Sequence, residues 1–211
     1  MKAGRRLGGW AVGLCGAALL SAYPPIRLSA QVSFRTSLGA RYTSTLVHDY
    51  IVAPIDVRPA LAPTLVLTAA TPLRGGWTAQ ATLDVSTSEL HRYDADGSNV
   101  ALGRLHTASF TVGLERRLRA GFTAGLGVGG LKYLPSEDSG IFRLGSGPLA
   151  GLGTVTLGHA LPLGAWHRLG VEARYDVHGF TTPALRAEGF DASRTVHRVT
   201  LTVRATWGAA P

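Results

Sequence analysis

The chain has one cysteine, Cys15, and no apolar run as long as a helical membrane span. With no second thiol to pair with, Cys15 cannot form an internal disulfide, and the fold must be held by packing and hydrogen bonding alone. The longest apolar run, Leu7–Ala22, covers sixteen residues and is interrupted by Gly8, Gly9 and Gly13. A spanning helix needs roughly 20 apolar residues, so this run falls short of one. Lysine and glutamate are scarce, whereas glycine (27 residues), threonine and serine are plentiful, a balance that weighs against helix bundles. There is no run of basic residues either, which leaves nucleic acid without support as a partner.

The short apolar run does have an identity. It follows the basic opening Met1-Lys2-Ala3-Gly4-Arg5-Arg6 and precedes Tyr23-Pro24-Pro25, the layout of a secretory signal peptide. We expect Met1–Ala30 to be removed, with cleavage after Leu28-Ser29-Ala30, and Gln31–Pro211 to form a single domain. The bulky Leu14 before Cys15 is unlike the small residue that a lipoprotein signal places there. Losing Lys2, Arg5, Arg6 and Arg27 lowers the formal charge from +8 to +4, from 17 basic and 13 acidic residues, spread along the chain.

What fills the remainder is alternation. In His167–Phe180 the residues Leu169, Val171, Ala173, Tyr175 and Val177 share one parity, and Arg168, Gly170, Glu172, Arg174, Asp176 and His178 the other. A period of two is that of a β-strand. The pattern recurs and predicts eight strands, near Val32–Thr43, Leu61–Ala70, Trp77–Ser86, His106–Leu114, Phe122–Tyr133, Leu149–Ala160, Trp166–Phe180 and Arg198–Trp207. Connections alternate long and short, so antiparallel neighbours gather the three short turns at one end and the four long loops at the other. That asymmetry, with strands of roughly ten residues, predicts an all-β fold: an eight-stranded antiparallel up-and-down transmembrane β-barrel. Phe34, Trp77, Phe122, Trp166 and Trp207 fall at the strand ends nearest the short turns or the termini, where a membrane-interface girdle belongs.

With the apolar parity facing lipid, the polar parity faces the lumen. There it gathers Arg35, Arg41, Arg174, Arg198 and Arg204 with Asp84, Glu115, Glu172 and Asp176. An eight-stranded barrel has interior enough for its own side chains, so the expected lumen is a closed charge network. Its densest part is expected along the seam of the last, first and seventh strands.

On these residues the chain resembles the small eight-stranded outer-membrane barrel proteins of the OmpA and OmpX type. The resemblance spans Gln31 to Trp207 and is carried by the hairpin Thr111–Glu115 to Phe122–Gly127, the strand Val171–Tyr175 and the closing Val199–Val203. It implies a cell outer membrane location, outer-membrane lipid and lipopolysaccharide as surroundings, and insertion as a monomer by the barrel-assembly machinery. That machinery reads a final aromatic, whereas here Trp207 is followed by Gly208-Ala209-Ala210-Pro211.

Other motifs fail on their own chemistry. Gly125-Leu126-Gly127-Val128-Gly129-Gly130 fits the dinucleotide spacing G-x-G-x-x-G, but Leu131–Pro135 provides no helix to meet a pyrophosphate, and the glycines read as room for lumen side chains. The stretch Asp94-Ala95-Asp96-Gly97-Ser98 opens like a calcium loop, yet Asn99 and Leu105 occupy the positions where Gly and an acid are needed. The histidines form no i, i+2 pair, there is no Gly-x-Ser-x-Gly elbow, and His106 and Ser109 fall on opposite parities. We therefore expect no catalytic site, cofactor or metal, and a structural or surface-interaction role. The alternatives are a narrow channel for small or hydrophobic solutes, a lipid-modifying enzyme, and a soluble lipocalin-like barrel with its parities reversed.

Overall fold

The computed structural model describes residues 32–49, 55–137, 140–143, 147–163, 167–189 and 193–207. The expected signal segment Met1–Ala30 and the aromatic Trp166 lie outside these residues. Among the described residues the strands are β1 (Ser33–Thr43), β2 (Val47–Asp49), β3 (Ile55–Pro59), β4 (Ala62–Pro72), β5 (Trp77–Tyr93), β6 (Asn99–Arg117), β7 (Phe122–Pro135), β8 (Leu149–Leu163), β9 (His167–Phe180) and β10 (Arg194–Trp207), and a short α-helix, α1 (Pro183–Ala187), precedes β10. All eight segments that alternate in the sequence are strands of one sheet.

That sheet closes on itself. From β4 to β10 each strand pairs antiparallel with the next, and β1 pairs with β4 on one side and β10 on the other. The closing ladder runs from Phe34↔Trp207 to Thr43↔Arg198. Closure leaves no unpaired edge around the circuit, the one way a sheet satisfies its backbone N–H and C=O groups inside a bilayer.

Parity decides which residues face out. Leu38, Leu126, Val128, Val155, Leu201 and Val203 are exposed on the outer wall, while their neighbours Ser37, Thr154, Thr200, Thr202 and Arg204 are buried within. The soluble alternative required the reverse and is excluded. Apolar side chains outward and charges inward is the arrangement of a barrel that has hydrocarbon as its solvent.

Two of the expected long connections are partly strand. Glu89–Leu105 reads as a loop in the sequence, yet the β5–β6 ladder continues past a bulge at Glu89/His91 up to Tyr93↔Asn99. The bulge resets the parity, which erases the alternation that would have revealed the extension. The connection His48–Pro59 holds β2 and β3, which pair with each other and then dock β3 on the extended part of β5, Asp56 opposite Tyr93. Strands of three and five residues are too short to show a period.

Glycines within the strands answer two different needs. A Cβ at Gly39 or Gly129 would sit 1.9 Å from the carbonyl oxygen of Leu201 or Phe110, so these positions let neighbouring backbones approach closely. At Gly158 a Cβ would meet Thr123 Oγ1 at 2.7 Å and the Arg204 guanidinium at 3.5 Å. Of the stretch Gly125–Gly130, read in the sequence as room for lumen side chains, Gly125 is of this second kind, 2.6 Å from Thr156 Oγ1, while Gly129 is of the first.

Leu201→Arg puts a charge in the middle of the outer belt and is expected to cost about 2–4 kcal/mol of folding free energy in vesicles, whereas Thr200→Ser, inside the lumen, costs much less. Refolding titrations into phosphatidylcholine vesicles check this; equal losses at the two positions would contradict the assignment of faces.

Candidate functional site

The lumen is where the unusual chemistry lies, and strand register stacks it in layers. Nearest the short turns, Arg35 of β1 reaches across to Glu115 of β6 in a two-pronged pair, both nitrogens 2.8 Å from a carboxylate oxygen. Arg204 of β10 donates to Glu172 of β9 at 3.0 Å and lies 3.6 Å from Glu115, so the four residues share one network. Beside it a polar vestibule of about 360 Å³ opens at the short-turn end, lined in part by Arg117, Thr123 and Thr206.

The next layer is drier. Arg41, 1% exposed, forks onto both oxygens of Asp84 in β5 and also donates to Ser86 Oγ at 3.2 Å and, through Nε, to Thr200 Oγ1 at 2.9 Å. Arg174 Nε donates to Asp176 Oδ1 at 2.7 Å along the same strand. Arg198 is the odd one. It is buried and sits opposite Asp176 in the β9–β10 register, but its three guanidinium nitrogens have no hydrogen-bond partner among the described residues, and Asp176 Oδ2 has none either. Five cations meet four carboxylates in this lumen, and the surplus charge resides on Arg198.

Above this the inward parity turns apolar. Leu90, Leu105, Leu131, Tyr133, Leu152 and Phe180 form a cluster joined by Leu46, Val57, Phe142 and Val196. Phe142 lies in the turn that follows β7, and Thr182, which caps α1, donates to the Ile141 carbonyl at 2.6 Å, so the last two long loops are tied together over the barrel mouth. Within this lid Tyr133 Oη and His178 Nε2 are 2.6 Å apart. Between the two charged layers the void bordered by Thr68, Gln80, Thr82, Thr111, Thr154, Glu172 and Arg174 measures about 10 Å³, the room of a single water.

The outer wall places the aromatics. Phe34, Trp77, Phe122 and Trp207 are exposed at the short-turn end, with Phe34 opposite Trp207 across the closing seam and the Phe122 ring tilted at 59° to that of His159, centroids 4.5 Å apart. His106 faces outward and pairs with Thr87 at 2.8 Å, while Ser109 is buried in the lumen wall, so the two do not meet. The Asp94–Ser98 stretch is a hairpin turn closed by Gly97 N donating to the Asp94 carbonyl at 3.0 Å. There the hydroxyl and N–H of Ser98 hold the exposed Asp96 carboxyl below its usual range.

No protein-family model matches the chain, and no curated protein matches it in sequence. Solved structures do. Neisserial surface protein A superposes with a TM-score of 0.53 at 11% identity, covering 85% of this chain and 97% of the other. OprG of Pseudomonas aeruginosa gives 0.53 at 12%, covering 86% and 98%, and the outer-membrane protein AlkL gives 0.54 at 14%, covering 86% and 92%. The fold is that of a small outer-membrane β-barrel. At such low identity the likeness is one of architecture, so the barrel's lumen chemistry has to be argued from its own residues.

Sequence parity points to all nine charged lumen residues, and the seam pair of Glu172 with Arg204 forms as adjacency of the last two strands suggests. Arg35 and Arg41 take Glu115 and Asp84 from across the barrel rather than the acids of the neighbouring seam. The lid was missed, because an apolar residue on the inward parity reads as a fault in the pattern. Its signal was there in Leu131 and Tyr133, which continue the parity of Thr123, Gly125 and Gly127.

Arg41→Met strands Asp84 and is expected to cost roughly 3–5 kcal/mol, whereas Arg198→Met removes a buried charge that has no hydrogen-bond partner and is expected to be neutral or stabilising. Urea unfolding in detergent compares them; equal losses would contradict the pairing. A double-mutant cycle on Glu172 and Arg204 should return a coupling of about 1–3 kcal/mol, and strict additivity would show that the contact carries nothing.

Proposed function

We propose that the chain works in the outer membrane as a closed, monomeric barrel that holds its long-loop end at the cell surface for contact with other molecules. The observation that carries this reading is the doubly blocked lumen: two charged layers that leave about 10 Å³ between them, and an apolar lid above. Conduction needs a continuous wet path, and neither a layer of paired guanidiniums nor a cluster of Leu, Tyr and Phe provides one. What remains available is the surface formed by the β5–β6 hairpin with β2 and β3, and by the loops around α1. The neisserial structure with the same architecture is itself a surface protein.

The outer wall supports the surroundings that go with this role. Its apolar belt suits outer-membrane lipid, with lipopolysaccharide at the long-loop side, and Trp207 at the end of β10 is an exposed aromatic of the kind the barrel-assembly machinery reads.

Planar-bilayer recordings of the refolded chain test the closed state. The expected record shows no discrete conductance steps above baseline; stable unitary steps, abolished by blocking the mouth, would replace this reading with a channel.

A further inference from the structure

Two of the short turns are copies of each other. Leu73-Arg74-Gly75-Gly76-Trp77-Thr78-Ala79 and Leu118-Arg119-Ala120-Gly121-Phe122-Thr123-Ala124 align position by position as leucine, arginine, a small residue, glycine, an aromatic, threonine and alanine. Their geometry agrees. In each the leucine N–H donates to the aromatic's carbonyl, at 2.7 and 2.8 Å, and the third and fourth residues have positive φ: 73° and 76° in one turn, 56° and 79° in the other. A non-glycine residue with positive φ is uncommon, yet Ala120 keeps that conformation, so the turn shape holds even without glycine. Each turn presents an arginine at its tip and an aromatic at its foot. Because β5 pairs with β6, the two turns stand side by side, with Trp77 opposite Arg116.

Charge at this end is one-sided. Arg74, Arg116 and Arg119 are exposed, and Arg116 lies over the Trp77 ring, 5.4 Å from its centre. The aspartates and glutamates of the described residues are elsewhere: in the lumen, or at the opposite end as with Glu89, Asp96, Glu137 and Glu188. Neither turn contains an acid, nor does the third short connection, Pro162–Ala165. The height of the patch is set by the girdle. Phe122 to Lys132 is ten residues along β7, which at about 3.4 Å per residue and a tilt of about 40° rises about 26 Å, the thickness of the apolar band. Trp77 and Phe122 therefore mark one edge of the hydrocarbon, and the arginines just beyond them stand at the level of lipid phosphates, flanked by the exposed apolar side chains of Leu73 and Leu118.

We propose that this paired turn is a binding surface for anionic phospholipid headgroups of the leaflet on the short-turn side. Arg74 and Arg119 reach the phosphates from two neighbouring tips, and Arg116, steadied on Trp77, closes the cradle. Guanidinium forks suit phosphate oxygens, and an aromatic next to the cation keeps it at the interface rather than in bulk water. The occupant is a membrane lipid because the cradle is continuous with the apolar belt, where acyl chains lie, whereas a free anion would have no use for that belt. The proposal rests on the barrel spanning a bilayer, and the test separates the two.

The refolded chain is compared in zwitterionic detergent by native mass spectrometry with phosphatidylglycerol and phosphatidylcholine of identical acyl chains. Heat-modifiable gel mobility certifies each variant as folded. The wild-type chain is expected to prefer phosphatidylglycerol roughly tenfold, the scale that arginines at an anionic surface supply. The double variant Arg74→Gln/Arg119→Gln, which lies in the turns and off the barrel wall, should lose most of that preference, and Arg116→Gln the remainder. Arg74→Lys/Arg119→Lys, which keeps the charge, should retain a large part. Arg92→Gln/Arg186→Gln at the other end should change nothing. Absence of preference in the wild-type chain, its persistence in the glutamine variants, or an equal loss in the far-end control would overturn the proposal. So would arginine-dependent co-sedimentation with cell-wall sacculi accompanied by an unaltered lipid preference. A chain that fails to fold into phosphatidylcholine vesicles at all would instead remove the membrane reading on which this one stands.

Discussion

Every backbone N–H and C=O that enters hydrocarbon has to find its partner within the protein, and in this chain the β1–β10 ladder is what makes that complete. Seven of the eight ladders join strands adjacent along the chain or separated only by the small β2–β3 pair. The eighth brings Phe34 to Trp207, the two ends of the barrel sequence, and without it both edges would be open. The outward aliphatic belt and the buried polar face follow from that closure, since a closed sheet has one surface for the bilayer and one for itself.

A closed eight-stranded sheet leaves an interior that must be filled, and the filling is chemically mixed. Charged side chains without water are costly unless paired, and several pairings pass over intervening strands: β1 to β6, β1 to β5 and β10 to β6, beside the neighbouring β10 to β9 pair. These contacts brace opposite walls in a way the ladders cannot. The apolar lid does the same at the other end, with Phe142 and Phe180 meeting edge to face at 6.1 Å and Phe180 meeting Tyr133 at 5.1 Å. The barrel is thus cross-linked through its middle by two unlike kinds of contact.

The fold was almost wholly legible in the sequence, because period two is a direct consequence of strand geometry and survives any tertiary arrangement. Strand ends were not. The β5–β6 ladder outruns its alternation at the Glu89/His91 bulge, and β2 and β3 have too few residues to alternate. The lumen residues were legible as a set, since parity assigns a face, but parity gives no height. That Arg35 should find Glu115, eighty positions away, depends on how far each strand is slid against the next, which alternation does not encode. Nor does it show that Arg198 would be the cation left over, although five arginines against four acids required there to be one. The twin turns are legible in residues 73–79 and 118–124, but only when the two segments are compared with each other, since each alone reads as a short turn.

Four of the five lumen arginines belong to the two strands that meet last in the circuit: Arg35 and Arg41 on β1, Arg198 and Arg204 on β10. Before that seam zips, both of its edges are lined with solvated positive charge and repel each other. Glu172 on β9 already neighbours Arg204 within the β9–β10 hairpin, but Asp84 on β5 and Glu115 on β6 reach Arg41 and Arg35 only as the cylinder rounds up and water leaves its interior. Seam closure and lumen drying are therefore one event, opposed by like-charge repulsion until the opposite wall arrives. Such an event is expected late on the folding route and is expected to be hastened by salt, which screens the edges while they are still wet.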